Sequence, residues 1–483
     1  MLTQGIEPER PRDVGSHTRH RTWMAVLCAV GLVVPTLLGC GLEPSRNIVV
    51  ITLDTTRADR LGSYGNRDGL TPNADAVAAE ANVFEHCVAP MGTTSPSHAT
   101  LFTGLNPTEH AVRSNRDRLP DSIPTLAAEL QKAGYTTGAF VSLRSMIQTA
   151  GLDRGFDHVD RFEPKPGGKR GLTSLVREGA ATLASAQSWF ESVKQEGRQP
   201  FFAWLHYYEP HSPYVPSPYS REMLKDYRGK FADGVGVMVF GNGRWMDSEQ
   251  ETRALGVLYD GRVQVADQLV GELLEGLREL YLLDDAIVVI TADHGQALGD
   301  HGLPGHGRGM WQSILEVPCL IWDGRDRRPY RISERVGLID LTPTLLELAG
   351  LPALPNVSGR SLVPALRGDT LSPGRYYAST KVVASNKARA PVEIDPRKPY
   401  EIAIYEGDLK LMHGDAGTAL FDLSRDPFEQ SPLPVSTRGN AYERLFALVQ
   451  DHFGEEGTSA DVAPSKDFPE EVLEGLRALG YTD

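Results

Sequence analysis

The stretch Asn47-Ile48-Val49-Val50-Ile51-Thr52-Leu53-Asp54 decides the architecture. Its near-continuous run of aliphatic, mostly β-branched residues lacks the alternation of a half-exposed strand and reads as a strand buried on both faces, as in a parallel sheet. It ends on a carboxylate. Two other runs behave alike: Phe201 to Leu205 stops at His206, and Ala286 to Ala292 stops at Asp293-His294-Gly295. Tyr135 to Val141 and Val317 to Trp322 are further strands. Helical patterns lie between them, at Pro72 to Val83, Pro124 to Gly134, Leu172 to Lys194, Glu249 to Leu282 and Thr342 to Gly350. The alternation implies an α/β fold, a mostly parallel sheet sandwiched by helices. Ligands of such sheets bind outside the carboxyl ends of strands. Asp54, His206, Asp293 and His294 should therefore meet at one edge.

A second stretch supplies a nucleophile. Thr94-Ser95-Pro96-Ser97-His98-Ala99-Thr100-Leu101-Phe102-Thr103-Gly104 reads as a hydroxyl at the start of a helix, with Ser95 as N-cap and Pro96 in the first helical position. The free N–H groups of a helix N-terminus attract anions. Asp54, Asp293 and His294, with Thr94 bridging, offer the ligands of a divalent metal site. An Asp ending a strand more often makes a turn or cap; convergence on the Thr94 helix is what favours ligation. His86, His110 and His158 are assigned no chemistry, and Phe201, Phe202 and Trp204 are assigned to the core.

The pattern changes around Gly359 to Pro373. Short segments at Tyr400 to Tyr405, Leu409 to His413 and Leu420 to Leu423 predict a small antiparallel sheet, closed by a helix near Glu470 to Leu479. The expected organisation is a catalytic domain over 47–368 and a C-terminal subdomain over 369–483.

With 483 residues, 41% hydrophobic and 23% charged, the chain can bury a large core. A net charge of −14 argues against nucleic acid as a partner, because phosphate contact needs a basic face. Near the N-terminus, Arg19, His20 and Arg21 precede an apolar run from Met24 to Gly39, too short for a spanning helix of about 20 residues. The basic and apolar order fits a signal peptide over 1–39. Its end, Leu37-Leu38-Gly39-Cys40, resembles the lipobox of bacterial lipoproteins, with 40–46 as linker. Lipidation at Cys40 would place the protein in the bacterial cell envelope or periplasm, held to a membrane. Cys87 and Cys319 read as small buried hydrophobes without a disulfide.

The Thr94 segment resembles the signature of the sulfatase family of the alkaline phosphatase superfamily, C-x-P-S-R-x-x-L-x-T-G. Pro96, Ser97, Leu101, Thr103 and Gly104 match. Leu53 to Gly65 is similar to the family's first metal-binding loop, and Asp293-His294-Gly295 with Leu298 to Gly302 to its second. Pro210-His211-Ser212-Pro213-Tyr214 matches a motif with an anion-contacting histidine. Gly305-His306-Gly307-Arg308 stands where many members place a lysine on the substrate anion. The resemblance implies catalytic roles for Thr94, His98, His211 and His306, and substrate-anion binding by His206, His211, His306 and Arg308. His206, Glu209, His211 and His306 could alternatively hold a second metal.

Four departures shape the reading. Thr94 replaces the cysteine that becomes formylglycine; oxidised threonine would be a ketone, so no formylglycine is expected. Thr55 replaces the second of the family's paired aspartates, His98 replaces the arginine that braces the nucleophile, and Ser142-Leu143-Arg144 lacks the usual lysine and histidine. What remains resembles the phosphodiesterase branch of the superfamily, where threonine attacks. The expected protein is a metal-dependent hydrolase of sulfate or phosphate esters, with a small-molecule, glycan or lipid ester as substrate. Its cofactor is a divalent ion: an imidazole ligand favours zinc or manganese over calcium, though calcium is common in the family. Two alternatives stay open: a headgroup phosphotransferase, and a non-catalytic lipid-anchored binding protein of the same fold.

Mass spectrometry of the protein from a bacterial membrane fraction is expected to show an N-terminal, acylated Cys40. An intact Met1 or an unmodified Cys40 refutes the export reading.

Overall fold

The computed structural model describes residues 46–148, 150–162, 175–236, 248–380, 400–414, 417–434 and 439–453. The signal peptide, Cys40 and the helix expected near Glu470 lie outside the described residues, as does the start of the helix expected from Leu172. All described residues belong to one compact unit that begins at Pro44. Among them, no helix is long and apolar enough to cross a membrane.

The strands are β1 (Asn47–Leu53), β2 (Asn82–Val88), β3 (Thr136–Val141), β4 (His158–Asp160), β5 (Phe201–Tyr207), β6 (Ala286–Thr291), β7 (Ala297–Leu298), β8 (Pro304–Gly305), β9 (Glu316–Asp323), β10 (Arg331–Ile332), β11 (Val336–Gly337), β12 (Arg375–Ser379), β13 (Tyr400–Glu406), β14 (Leu409–Gly414) and β15 (Gly417–Asp422). The main sheet has the order β10-β2-β9-β6-β1-β5-β3-β4, with β11 also on β2. Strand β1 pairs in parallel with β5 on one side and β6 on the other, Thr52 lying opposite both His206 and Thr291. Strand β9 runs against both of its neighbours, so the sheet is mostly parallel. Strand β2 occupies a stretch whose start the helical pattern Pro72 to Val83 claims; the helix α1 (Pro72–Ala78) ends four residues before it.

The aliphatic run of β1 has one reason: each face meets helices. Ile48 and Val50 point into a core shared with α2 (Thr94–Thr103), α3 (Leu126–Lys132) and, further along the chain, Leu341–Leu348. Val49, Ile51 and Leu53 point to the other core, under α4 (Gly179–Gln195) and α5 (Glu249–Glu279). Trp204 and Phe202 fill the first core, and Phe201 the second, as assigned from sequence. Cys87 and Cys319 are free and buried.

The second sheet is antiparallel, β12-β13-β14-β15. Ile402, Ile404, Leu411 and Leu420 on one face meet Leu445 and Val449 of the helix Gly439–Phe453. Ala403, Tyr405 and Met412 on the other face meet Met310, Trp311 and Ile314. Lys410 and Glu429 form a fully buried ion pair there. The ammonium also donates to the carbonyl of Met310 and to Gln312 Oε1, while Glu429 Oε2 accepts from the Gln312 N–H.

Removing one partner of this pair strands the other charge. Lys410→Met is expected to cost about 3–5 kcal/mol of stability, and the double variant Lys410→Met/Glu429→Gln to recover much of it. Thermal unfolding of both single variants and the double variant checks the coupling; a double-variant loss equal to the sum of the single losses would show that the groups act independently.

Candidate active site

Three adjacent central strands carry the chemistry to one edge. Asp54 follows β1 directly and its N–H donates to the Tyr207 carbonyl, extending the ladder by one bond. His206 sits near the end of β5, and Asp293-His294 follows β6 by one residue. All four are fully buried. A ligand atom from each of Asp54, Asp293 and His294 lies within 4.8 Å of the other two. His294 Nδ1 donates to the Gly295 carbonyl at 2.9 Å, which leaves Nε2 as the ligating nitrogen.

Neither oxygen of Asp54 has a hydrogen-bond partner, nor has Asp293 Oδ2 or His294 Nε2. Asp293 Oδ1 accepts from the N–H groups of Thr55 (3.1 Å) and His294 (2.9 Å). Burial pushes the Asp54 carboxyl well above its ordinary range, and the nearby Asp293 adds to the shift. Burial likewise raises Asp293 and holds the His294 imidazole down, to about 4. Two dry carboxylates with lone pairs unsatisfied are costly on their own. The oxygen and imidazole donors fit a divalent cation, which satisfies the orphaned atoms and offsets the charge.

Thr94 opens α2 and is fully buried. Thr93, not Ser95, occupies the N-cap position, and no side chain caps the helix; Pro96 is its third residue. The Ser95 N–H is instead taken by Asn115 Oδ1 at 2.7 Å. The proline still costs nothing, because first-turn N–H groups lack intrahelical partners. His98 Nδ1 lies 2.9 Å from the Thr94 carbonyl, which can only accept, so this nitrogen carries the proton. His98 Nε2 then accepts from Thr52 Oγ1 at 3.0 Å, and Thr52 accepts from Trp204 Nε1–H at 3.1 Å. Burial keeps this imidazole neutral. His98 Nδ1 is also 3.8 Å from Asp293 Oδ2, which ties Thr94 to the carboxylate cluster.

His211 and His306 meet nearby, Nε2 to Nε2 at 3.0 Å. Each Nδ1 faces a carbonyl, of Ser212 (2.6 Å) and of Gly92 (3.0 Å). With both Nδ1 protonated, the facing Nε2 atoms present lone pairs to each other, and because burial disfavours their charged forms a shared proton would be held only against a bound anion. The His306 ring lies 4.6 Å from the His294 ring. Burial lowers both histidines, His306 to about 3. A Cβ on Gly92 would meet the Gly307 nitrogen at 3.1 Å, so glycine there lets the loop before Thr94 approach the loop carrying His306. Arg308 is exposed.

Other expected contacts fall elsewhere. Glu209 Oε1 accepts from the Gly179 N–H at 2.5 Å, serving the N-terminus of α4. Asp300, in the segment similar to the second metal loop, pairs with Arg57 Nη1 at 2.7 Å. Arg57 also bonds Asp59 and the Gln296 carbonyl (3.1 Å), and so staples the loop after β1 to the loop after β6. The relay through Thr52 and Trp204 escaped the sequence reading, which saw only core residues; a polar Thr at the end of an aliphatic strand was its one signal.

A mostly parallel sheet presenting two carboxylates, an imidazole and a helix-terminal hydroxyl at its carboxyl edge defines a class of metal-dependent ester hydrolases. The chain belongs to the sulfatase family, whose model matches residues 46–351, and thus to the alkaline phosphatase superfamily of ester hydrolases. A multifunctional alkaline phosphatase superfamily protein of Trinickia caryophylli is 27% identical over 84% of this chain and 93% of the relative. The choline-sulfatase of Rhizobium meliloti is 25% identical over 90% and 92%. The crystal structure of the phosphonate monoester hydrolase of Agrobacterium radiobacter superposes with a TM-score of 0.64 at 21% identity, covering 84% of this chain and 96% of that one. Sulfatase-fold enzymes use a divalent metal.

Because the folded metal-free site binds a proton on Asp54 more tightly than the unfolded chain does, metal-free protein should lose stability as pH rises above about 4. Asp54→Asn should stabilise the metal-free protein at neutral pH. Saturating metal at 100 times Kd should stabilise the wild type by about 2.7 kcal/mol and the variant not at all. Thermal unfolding with and without zinc or manganese checks both halves; equal metal-induced shifts would place the metal elsewhere.

Proposed function

We propose that the chain hydrolyses phosphate diesters or phosphonate monoesters in preference to sulfate esters, with the Thr94 hydroxyl as nucleophile. The observation that carries this reading is a threonine, not a cysteine, at the first turn of α2, whose carbonyl is bonded by the same His98 that lies 3.8 Å from Asp293. Asp54, Asp293 and His294, with Thr94, would hold the divalent ion, which when bound lowers the pKa of a neighbouring hydroxyl and shields a substrate anion.

The remaining steps belong to side chains. Thr94 Oγ1 attacks phosphorus: the Oγ1–P bond forms, the bond to the departing oxygen breaks, and the hydroxyl proton leaves to solvent. His98 holds the Thr94 carbonyl and thereby the pitch of the first helical turn. The His211–His306 pair, with Arg308 at the rim, binds the non-bridging oxygens; the departing alkoxide takes a proton. Water then attacks the phosphothreonine, and Thr94 regains its hydroxyl. A hydrated aldehyde can expel sulfate by elimination, whereas a threonine ester has no such exit and must await water. Phosphoryl groups are released by this route more readily than sulfuryl groups. The description of one relative as multifunctional and of one structural neighbour as a phosphonate monoester hydrolase supports the reading. The Leu37-Leu38-Gly39-Cys40 segment supports a lipid-anchored envelope enzyme.

Steady-state kinetics on matched aryl phosphodiester, phosphonate and sulfate substrates test the proposal. Higher kcat/KM is expected for the phosphorus esters. Thr94→Ser should retain partial activity and Thr94→Ala should lose on the order of 10⁴-fold in kcat. Equal or better turnover of the sulfate ester by enzyme with unmodified Thr94 would overturn it.

A further inference from the structure

The first turn of α2 has already committed donors by which a helix N-terminus ordinarily holds an anion. The Ser95 N–H goes to Asn115 Oδ1 at 2.7 Å, Pro96 has no N–H, and the Ser97 N–H reaches the Thr93 carbonyl at 3.3 Å. A capping side chain accepts from the second or third helical residue, here Ser95 and Pro96, so Thr93 in the N-cap position has nothing to cap. Its Oγ1 is enclosed and has no hydrogen-bond partner. Thr93 Cγ2 would stand 3.6 Å from a Cβ placed on Gly307, so the methyl, not the hydroxyl, faces the loop of His306.

Asn115 returns a donor to the same place. Its side chain is buried, the residue being 6% exposed. A backbone N–H requires an acceptor, which settles the orientation of the carboxamide: the oxygen faces Ser95 and the NH2 group is the other arm. Nδ2 has no hydrogen-bond partner. The two arms of a carboxamide end about 2.2 Å apart, so Nδ2 stands within about 5 Å of the Ser95 nitrogen, next to the residue that carries the nucleophile. Accepting a helix N–H polarises the amide and makes Nδ2–H the stronger donor. Two buried donors without an acceptor, at one helix end, are costly unless an acceptor visits them. Neither brings a charge.

We propose that Asn115 Nδ2–H and Thr93 Oγ1–H form a neutral donor pair for one non-bridging oxygen of the ester group that Thr94 attacks. The inference rests on the reading of Thr94 as nucleophile given above. Charge in such a transfer is spread over the non-bridging oxygens, and donors fixed in advance beside one of them hold it without reorganising. Oxygen accepts from an amide and a hydroxyl; sulfur in its place accepts weakly. Asn115 thereby makes one oxygen of the group distinguishable from the other, a task separate from that of the His211–His306 pair.

The test is steady-state turnover of an aryl phosphodiester, and of the two diastereomers of its phosphorothioate, by metal-loaded, full-length enzyme. Asn115→Asp keeps an acceptor for the Ser95 N–H and loses the donor, Asn115→Ala loses both, and Thr93→Val keeps the shape and loses the hydroxyl. For the oxygen ester, kcat/KM should fall on the order of 100-fold or more in both Asn115 variants and about tenfold in Thr93→Val. The rate ratio of the two diastereomers should shift by about fivefold or more between wild type and Asn115→Ala, because the variant no longer tells sulfur from oxygen at that position. A loss confined to Asn115→Ala, with Asn115→Asp within about threefold of wild type, would make Asn115 a brace of the helix and overturns the proposal. So does an unchanged diastereomer ratio in Asn115→Ala. If Asn115→Ala does not fold, Asn115→Asp and Thr93→Val still decide, and wild-type turnover by both overturns it. Full turnover by Thr94→Ala fails the nucleophile reading itself, a result that needs no Asn115 variant and is distinct from these.

Discussion

Two carboxylates at the end of neighbouring strands set the terms for the whole molecule. Asp54 and Asp293 are dry, close and imperfectly satisfied, and each raises the energy of the other. Water cannot relieve them, because β1, β5 and β6 are covered by helices on both faces. A fold that buries such a pair is stable in proportion to its hold on a countercharge. The surrounding sheet holds the carboxylates in place, so the cost of burying them is linked to the hold on a countercharge.

The loops that leave this edge are pinned by charges of their own. Arg57 joins the loops after β1 and β6, and its N–H is held in turn by Tyr259 of α5 at 3.0 Å. Lys410 reaches from the small sheet to Met310 and Gln312, a few residues beyond His306. The C-terminal sheet therefore braces the loop that carries His306, although none of its described residues belongs to the Asp54, Asp293 and His294 group. His301 stacked on Trp311 at 3.6 Å holds the same loop from within.

Much of this was legible in the chain. Buried parallel strands announce themselves because both faces must be apolar, and their ends at Asp54, His206 and Asp293 mark the carboxyl edge of the sheet. What was not legible has physical reasons. Strand β2 follows α1 after only three residues, so the helical period runs into it. Helix α2 is buried on every side, which erases the amphipathic stripe that would have fixed its first residue. Glu209 lies two residues from His211 in sequence, but its carboxylate serves a helix N-terminus, a choice made by tertiary packing alone. The proton position on His98 follows from a backbone carbonyl, and no sequence pattern encodes that.

The departures from the family pattern make sense together when the charge is counted. The resemblance expects a second aspartate at position 55 and an arginine at position 98, which would add one negative and one positive charge. This chain has a threonine and a histidine there, and burial keeps that histidine neutral. Both losses cancel, and Asp54 with Asp293 still matches a divalent cation. Either change alone would leave the buried centre a full charge out of balance, in a medium where one unit is worth several kcal/mol. With the guanidinium gone, the first turn of α2 is held by a neutral relay from Trp204 through Thr52 and His98 to the Thr94 carbonyl. Such a relay orients the Thr94 turn without adding charge beside it. Under the proposed mechanism, a hydroxyl with no aldehyde hydrate to lend it acidity would gain from a brace of this kind.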